Sequence, residues 1–413
     1  MPTTLLRFKA KPLMPSAVPV ASYRIDSIDL LRGLVMIIMA LDHTRDFFHQ
    51  PAFTDDPLNF ATTTPVLFLT RWITHFCAPV FVFLAGTSAF FQHQRKTTRD
   101  LSRFLISRGL WLVFIEVVVI NFAVTFDPSY TVIGLQTIWA IGISMVILGL
   151  MVWLPFSAIL TIGLLLVFGH NALDVYEKQF PANHQYSMVY SLLHRPGFYP
   201  LGSGRSLLIM YPVMSWAGLM MLGYCFGKLF LLYEGVQRRK VLTWLGASMV
   251  LFFIALRATN WYGNPEPWTQ QKTAIFTLLS FLDTHKYPPS LLYMCMTIGP
   301  AILFVAWYGT AKSRLTNAVT VYGRVPFFYY VLHFLLIHIL STLAFFSRGH
   351  SFADGIYHDN TPVAPFNFTV PGEGYSLAVV YLVWLLVVAS LYPLCKWFSR
   401  YKQTHKQWWL SYL

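Results

Sequence analysis

Charged residues are scarce in this chain. Aspartate, glutamate, lysine and arginine together make up 11% of its 413 residues, whereas a soluble globular domain has about 25%. Hydrophobic residues make up 56%, and the mean hydropathy is +0.53. This balance excludes an ordinary soluble domain and predicts an all-α, polytopic integral membrane protein.

Cysteines and well-known catalytic motifs are also few. The chain has four cysteines, which fall in apolar segments without zinc spacing or paired loops, so we expect free buried thiols. It contains no HExxH or comparable metal set, no P-loop and no GxSxG elbow. The net charge is +13, but the sequence contains no nucleic-acid-binding motif. We therefore predict neither a metal site nor a nucleic-acid partner.

About ten apolar runs approach the length needed to span a bilayer. They lie at about 27–48, 65–91, 103–126, 131–151, 153–169, 207–231, 240–257, 289–309, 322–346 and 375–396. Pro155 divides the least regular region, where a re-entrant hairpin is the alternative to two spans. No internal repeat or linker is visible, so we expect one membrane domain at 25–397, between a basic tail at 1–24 and a C-terminal tail at 398–413.

Basic residues alternate between loops. Both tails and the loops at 92–103, 234–240 and 310–321 are basic, whereas the loop at 50–64 has Asp55 and Asp56 but no lysine or arginine. The positive-inside rule then places both termini in the cytoplasm and the long loops outside. An even number of spans agrees with this placement. We therefore predict that these spans cross a membrane and that its lipid surrounds the protein.

The first apolar run, DSIDLLRGLVMIIMALDHTRDFFH at 26–49, carries several charges. Charges in a spanning helix are costly and usually mark a pathway or a site. Arg32 and His43 are eleven residues apart, which returns to nearly the same helix face about 16 Å further along the axis. An extended cofactor, with phosphate at one end and its reactive atom at the other, could lie along this face.

Candidate catalytic groups collect at the outer end of the first two helices. His43 is suited to proton transfer near neutral pH. Arg71 and His75 are four residues apart on the second helix and share a face, at the predicted depth of His43. Asp42 and Arg45 belong to the same group, although a structural Asp–Arg lattice is the alternative for them. For Arg71 the alternative is an interfacial side chain that snorkels to water.

Other candidates lie elsewhere in the chain. Asp29 and Arg324 fall at the cytoplasmic end, where Arg324 is either a phosphate contact or plain topological charge. Tyr211 either lines a pocket or packs, and His333 lies in mid-membrane, about 140° around its helix from His338. We group Asp29, Arg324, Tyr211 and His333 with Arg32 as candidates for binding the cofactor. Glu116 is a carboxylate in an apolar run that needs a partner. We expect that partner to be a first-helix cation or His75.

The segment from Ile28 to Gly86 resembles the membrane-bound acyltransferases of the heparan-alpha-glucosaminide N-acetyltransferase type, particularly their bacterial relatives. The resemblance lies in the order IDLLRG, LDHTRDFF and THFCAPVFVFLAG, with further matches at YPVMSWAGLMMLGYCFG, KYPPSLLY and GRVPFFYYVLHFLLIH. The spacing of Arg32 and His43 also resembles the first-helix motif of acyltransferase family 3, which uses acyl-CoA and modifies sugars. In the lysosomal enzyme the catalytic histidine lies in the loop after the first helix, where His49 is the nearest histidine of this chain, so the candidates for that role are His43 and His49.

This resemblance implies a multi-pass protein of the bacterial inner membrane that uses acetyl-CoA (acyl-CoA) as donor. Acyl transfer would go to a hydroxyl or amine of an outward-facing glycan or glycolipid, and a homodimer is compatible with it. We expect Arg32 and Arg324 to hold phosphates and His43 to act as general base or as transient acyl acceptor. His75 and Asp42 would orient it. Arg71 or Arg45 would stabilise the oxyanion.

The competing interpretation is a transporter or flippase without covalent chemistry. Intramembrane Asp, His and Arg side chains also build proton relays. Release of free thiol from acetyl-CoA by the purified protein distinguishes the two, because a transporter breaks no thioester.

Overall fold

The computed structural model describes residues 25–52, 54–181, 184–308, 313–356 and 366–412. The helices of the first half are α1 (Asp26–Phe48), α2 (Pro65–Thr74), α3 (Cys77–His93), α4 (Thr98–Ile115), α5 (Asn121–Thr125), α6 (Thr137–Met151), α7 (Phe156–Gly169), α8 (Ala172–Glu177) and α9 (Met188–Leu193). Those of the second half are α10 (Val213–Gly227), α11 (Leu229–Leu232), α12 (Gly235–Thr259), α13 (Ala274–Leu282), α14 (Leu291–Trp307), α15 (Arg314–Arg324), α16 (Pro326–Ser347) and α17 (Leu377–Thr404). A π-helical turn, Glu116–Ile120, joins α4 to α5.

Seven helical segments in the described part of the chain are long and apolar enough to cross a membrane. They are Pro65–His93, Thr98–Thr125, Phe156–Glu177, Val213–Leu232, Gly235–Thr259, Pro326–Ser347 and Leu377–Thr404. The protein is therefore a multi-pass membrane protein. Helices α6 and α14 are apolar but shorter, and α1 is interrupted by charge. The count of ten spans remains a prediction at these three helices.

The prediction of an all-α fold is incomplete, because a three-stranded sheet lies between the helices. Its strands are β1 (Val132–Leu135), β2 (Gly197–Gly202) and β3 (Arg205–Ile209), in the order β1-β3-β2. β1 pairs with β3 in parallel, and β2 pairs with β3 in antiparallel fashion. Gly202, Ser203 and Gly204 all have positive φ in the hairpin turn, which glycine favours.

This sheet corrects two predicted spans. The apolar runs beginning at 131 and 207 both start as strands, and their helices begin only at Thr137 and Val213. In β1, two β-branched residues precede Gly134, a composition that favours strand over helix. Pro212 then fixes the start of α10, because proline is accepted where a helix begins.

The predicted second span is one apolar run but two helices. The helix is interrupted between Thr74 and Cys77, and Pro79 explains the interruption. Proline has no N–H to donate to the carbonyl four residues earlier, which here is that of His75. The hydroxyl of Tyr293 donates to this carbonyl instead, at 2.7 Å. The break thus removes His75 from a regular helix face.

Helix α1 lies at the centre of the bundle, where it packs against α2, α3 and α14–α17. Its closest approach is to α15. A Cβ atom added to Gly33 would lie 2.0 Å from the carbonyl oxygen of Val319, and one added to Gly323 would lie 1.8 Å from that of Asp29. The two backbones are therefore in direct contact. Because Arg32 precedes Gly33 and Arg324 follows Gly323, this crossing brings two arginines to the same place.

Candidate active site

Two cavities lie along one face of α1. The cationic cavity, of about 260 Å³, has Arg32, Arg108, Arg324 and Lys402 among its lining residues. The histidine cavity, of about 330 Å³, has His43, Asp42, Asp46, Arg71, Lys286 and Tyr211 among its lining residues. Met36 and Met39 line the α1 face between Arg32 and His43. The structure thus places Arg32 and His43 on one face, as their spacing predicts.

The two cavities share part of their walls. Met39, Thr137 and Tyr330 line both of them. These residues come from α1, α6 and α16, so three helices meet where one cavity adjoins the other. An extended molecule that occupied both cavities would pass between these side chains.

The four cations of the cationic cavity come from four helices, α1, α4, α15 and α17. Arg32 donates hydrogen bonds to the hydroxyl of Ser88 at 3.1 Å, to Asp29 at 3.3 Å and to the carbonyl of Gly323 at 3.4 Å. These contacts hold the guanidinium of Arg32 at the cavity wall, and Asp29 supports it from outside the lining. The Nε atom of Arg324 is buried and has no hydrogen-bond partner among the described residues. A cavity with this charge is suited to anionic oxygen atoms.

Two cations of this cavity were not predicted as site residues. Arg108 lies on α4, and Lys402 lies near the end of α17. In the sequence, Lys402 belongs to a basic tail that satisfies the positive-inside rule on its own. Only the arrangement of α4 and α17 in the folded bundle shows that both cations line the same cavity as Arg32.

His43, which lines the second cavity, is paired with His333, which does not line it. Nδ1 of His43 lies 2.7 Å from Nε2 of His333, and their ring centroids lie 5.0 Å apart at an interplanar angle of 22°. The other nitrogen of His333, Nδ1, lies 3.1 Å from the backbone carbonyl of Tyr329. Phe334 also lies against His43, with ring centroids 4.0 Å apart at an interplanar angle of 25°. The position of the His43 ring is therefore fixed by a hydrogen bond and by a ring contact.

These hydrogen bonds determine the tautomers of the two neutral rings. A carbonyl only accepts, so Nδ1 of His333 must carry a proton and donate it to Tyr329. Nε2 of His333 is then an acceptor, and Nδ1 of His43 donates to it. Nε2 of His43 is left with its lone pair in the histidine cavity. This is the arrangement that a general base requires.

Asp42 does not orient His43, contrary to prediction. Its carboxylate accepts from Arg45 at 3.1 Å and forms a short ion pair with Arg71. Arg45 also binds Asp46, at 2.5 Å. The partner of His43 is instead His333, which was predicted to bind cofactor. The Asp–Arg lattice considered from the sequence is therefore present.

This lattice affects the two predicted oxyanion donors differently. Arg45 does not line either cavity, and its side chain is only 5% exposed. Arg71 does line the histidine cavity, with its guanidinium paired to Asp42. Arg45 therefore lies outside the histidine cavity, whereas Arg71 lines the cavity and is already bound to a carboxylate.

His75 does not meet His43, which corrects the predicted pair on adjacent helices. It is 1% exposed, its ring lies 5.4 Å from that of Tyr293, and it lines neither cavity. Both of its ring nitrogens are without a hydrogen-bond partner among the described residues. The physical reason is the break before Pro79, which turns the chain at this position.

His49 and Tyr211 also occupy places of their own. His49 ends α1, bridges to Tyr375 through its backbone and lines neither cavity. Burial and then the charge of Arg45 lower the pKa of His49. Tyr211 was grouped with the cofactor site but lines the histidine cavity, where its ring lies 5.3 Å from that of Tyr287. Of the two candidate histidines, His43 is therefore the one in a cavity.

Glu116 lacks the partner predicted for it. The carboxylate accepts from the backbone N–H of Trp139 at 3.1 Å, in the first turn of α6. Neither a first-helix cation nor His75 is bonded to it. The N–H groups of a first helical turn have no partner within their own helix. Glu116 therefore accepts a hydrogen bond from a backbone N–H at the start of α6, a helix that lines both cavities.

One group outside the cavities has the spacing of metal ligands. Asp174, Glu177 and His194 are buried and offer ligand atoms within 4.8 Å of one another. Glu177, however, is already bonded to His194 at 2.8 Å, to Arg195 at 2.5 Å and to Tyr190 at 2.9 Å. These contacts form an ion-pair network between α8 and the segment that begins with α9. The absence of a metal remains a prediction.

Comparison with known proteins identifies the first half of the chain. Residues 24–260 match the family model described as heparan-alpha-glucosaminide N-acetyltransferase, catalytic. The match covers more than half of the chain. It contains Arg32, His43 and Arg71, whereas α15 and α16 lie beyond it. No curated protein matches the chain.

Proposed function

The chain belongs to the heparan-alpha-glucosaminide N-acetyltransferase family, and from that premise we propose that it transfers an acyl group across a membrane. The donor of this family is acetyl-CoA. In our proposal it enters from the cytoplasm and gives its acetyl group to an amine or hydroxyl of an outward-facing glycan or glycolipid. The observation that carries the proposal is the pair of adjoining cavities on one face of α1, cationic at one end and basic at the other.

The cationic cavity is suited to the phosphates of the donor. Charge-assisted hydrogen bonds from guanidinium to phosphate are among the strongest in proteins. Arg32, Arg108, Arg324 and Lys402 supply four such cations from different helices. The unpartnered Nε of Arg324 leaves a donor that a phosphate oxygen would satisfy. The pantetheine arm would then follow the methionines of α1 toward His43.

The histidine cavity is suited to the transfer itself. The lone pair on Nε2 of His43 would accept the proton of the acceptor amine or hydroxyl as that group attacks the thioester carbonyl. His333 would hold His43 in the required tautomer, while Nδ1 of His333 keeps its own proton and donates it in a hydrogen bond to the carbonyl of Tyr329. Collapse of the tetrahedral intermediate breaks the C–S bond, and His43 returns the proton to the departing sulfur. The products are the acetylated acceptor and free CoA.

The orientation in the membrane follows from charge. Lys402 belongs to the basic C-terminal region, and Arg324 ends α15, a helix that contains most of the segment predicted as the basic loop at 310–321. The positive-inside rule puts both on the cytoplasmic side. Lys286 and Tyr287 of the histidine cavity lie in a loop that the same rule places outside. We propose the bacterial inner membrane as the location, with acetyl-CoA on its cytoplasmic side.

The test uses purified protein in detergent with acetyl-CoA and glucosamine, the sugar that the family description specifies. We expect release of CoA thiol that depends on glucosamine, together with thermal stabilisation by CoA alone. Detergent removes the two compartments, so a transporter would produce neither thiol nor a gradient-dependent signal. Absence of both thiol release and stabilisation, with glucosamine and with a hydroxyl sugar such as glucose, would contradict the proposed function.

A further inference from the structure

Acyl transfer needs a hydrogen-bond donor for the thioester oxygen, and the place for it is defined by the two cavities. If the phosphates bind in the cationic cavity and the acceptor binds beside His43, the thioester lies where the cavities adjoin. The walls there are Met39, Thr137 and Tyr330. Met39 has no hydrogen-bond donor. The choice therefore lies between the hydroxyls of Thr137 and Tyr330.

Tyr330 is the better placed of the two. It lies one turn before His333 and Phe334 on α16, so that all three share a helix face. Its ring is edge-on to His43, with centroids 6.4 Å apart, and lies 5.5 Å from the ring of His333. A phenol, with an ordinary pKa near 10, is also a stronger donor than an aliphatic hydroxyl. Its side chain is buried, at 5% exposure, where water competes little.

The two arginines predicted as oxyanion donors are already engaged. Arg45 lines neither cavity and is bound by Asp42 and Asp46. Arg71 forms a short ion pair with Asp42. An oxyanion would have to compete with these carboxylates for either guanidinium. In the described part of the chain, the Tyr330 hydroxyl has no hydrogen bond to another protein group that it would have to give up.

We infer that the hydroxyl of Tyr330 donates a hydrogen bond to the thioester carbonyl oxygen and to the oxyanion that forms from it. This inference rests on the proposed function. The acceptor forms a bond to the carbonyl carbon, the π electron pair moves to the oxygen beside Tyr330, and Nε2 of His43 takes the acceptor proton. The pair then returns, the C–S bond breaks, and the sulfur leaves with the proton from His43. Tyr330 keeps its own proton throughout.

The experiment compares Tyr330→Phe with Tyr322→Phe. Both tyrosines are buried, at 5% and 3% exposure, but Tyr322 lines neither cavity and its hydroxyl donates to the carbonyl of Val388 at 2.8 Å. Loss of one oxyanion donor typically lowers kcat by about 10²–10³-fold. We expect that loss for Tyr330→Phe, with KM for acetyl-CoA unchanged, and wild-type kcat for Tyr322→Phe.

Three results would overturn the inference. The first is a kcat for Tyr330→Phe within about twofold of wild type. The second is an equal fall in Tyr322→Phe, which would indicate loss of packing instead of loss of a donor. The third is a wild-type protein that releases no CoA with any acceptor, which would remove the proposed function together with this inference. A wild type that turns over beside an unaffected Tyr330→Phe would remove the inference alone.

Discussion

His43 and His333 are separated by 290 residues in the chain, yet Nδ1 of the first lies 2.7 Å from Nε2 of the second. The contact joins α1, within the segment that matches the family, to α16, outside it. Because Nδ1 of His333 faces a carbonyl, the direction of this hydrogen bond is determined. The consequence is a single free lone pair, on the side of His43 that faces the cavity.

The first prediction concerns His333 as a positioning residue. His333→Leu removes the acceptor for His43, so we expect kcat to fall by about 10²-fold or more with KM for acetyl-CoA little changed. His333→Gln should restore part of the loss, because its amide oxygen can accept from Nδ1. Steady-state kinetics of both variants and of His43→Ala, which should be inactive yet folded, measure this.

The control for that series is His338→Gln. His338 is as buried as His333, but its nitrogens face the carbonyls of Ala123 and Asn367 and it lines neither cavity. We expect this variant to have a lower Tm and an unchanged kcat. Equal kcat in His333→Leu and wild type would show that His43 needs no partner.

The second prediction concerns two arginines of the cationic cavity and the phosphates that they would bind. Arg108→Gln and Arg324→Gln should each raise KM for acetyl-CoA about tenfold, because a charge-assisted hydrogen bond to phosphate is lost. With S-acetyl-N-acetylcysteamine, a thioester without phosphate, the same variants should match wild type. Arg103→Gln is the control, since Arg103 lies on α4 with Arg108 but is exposed and lines neither cavity. A tenfold effect with both donors would mean that these arginines hold the fold and not the phosphates.

The third prediction concerns the crossing of α1 and α15. In Gly323→Ala the new methyl group would lie 1.8 Å from the carbonyl oxygen of Asp29, so the helices must separate. Overpacking of this kind costs about 1–3 kcal/mol, and it would displace both Arg32 and Arg324. We expect a lower Tm and weaker stabilisation by CoA. Gly169→Ala, where no atom lies within 4 Å of the added Cβ, should leave both measurements unchanged.

The fourth prediction concerns stability and pH in the loop after α13. Burial raises the pKa of Asp283 to about 6, although Arg257 acts in the opposite direction. A pKa above the ordinary value means that folding favours the protonated carboxyl. Its stabilising contribution is complete below about pH 4 and is lost as the pH rises through about 6. We therefore expect Asp283→Asn to raise Tm at pH 8 and to leave it unchanged at pH 4. A variant with the wild-type Tm at both values would contradict this.

Local patterns in the sequence predicted the parts of the site that one helix determines. The face shared by Arg32 and His43 follows from helix geometry alone, and the structure confirms it. The pairing with Arg324 depends on the contact at Gly33 and Gly323, which the sequence does not reveal. His75 was misplaced because its spacing from Arg71 assumes an unbroken helix, whereas Pro79 interrupts the chain there. The sequence itself contained the signal for that break.

The remaining errors have a common physical cause. The partner of His43 was sought on the neighbouring helix in the chain, but helices distant in sequence pack together in a bundle. From the sequence, Arg108 and Lys402 could not be distinguished from the basic residues that set the membrane topology. A basic residue satisfies the positive-inside rule whether or not it also lines a cavity. The strands β1 and β3 were read as helix, since a short apolar run has no clear period. In each case the missing information was which elements come together.

The most direct test of the whole account is a structure of the protein with CoA and, separately, with a non-hydrolysable acetyl-CoA analogue. We predict phosphate density at Arg32, Arg108, Arg324 and Lys402, an arm that passes Met39 and Tyr330, and the acetyl carbonyl beside Nε2 of His43. Phosphates bound elsewhere, or an acetyl group that ends far from His43 with the two cavities closed to each other, would contradict it.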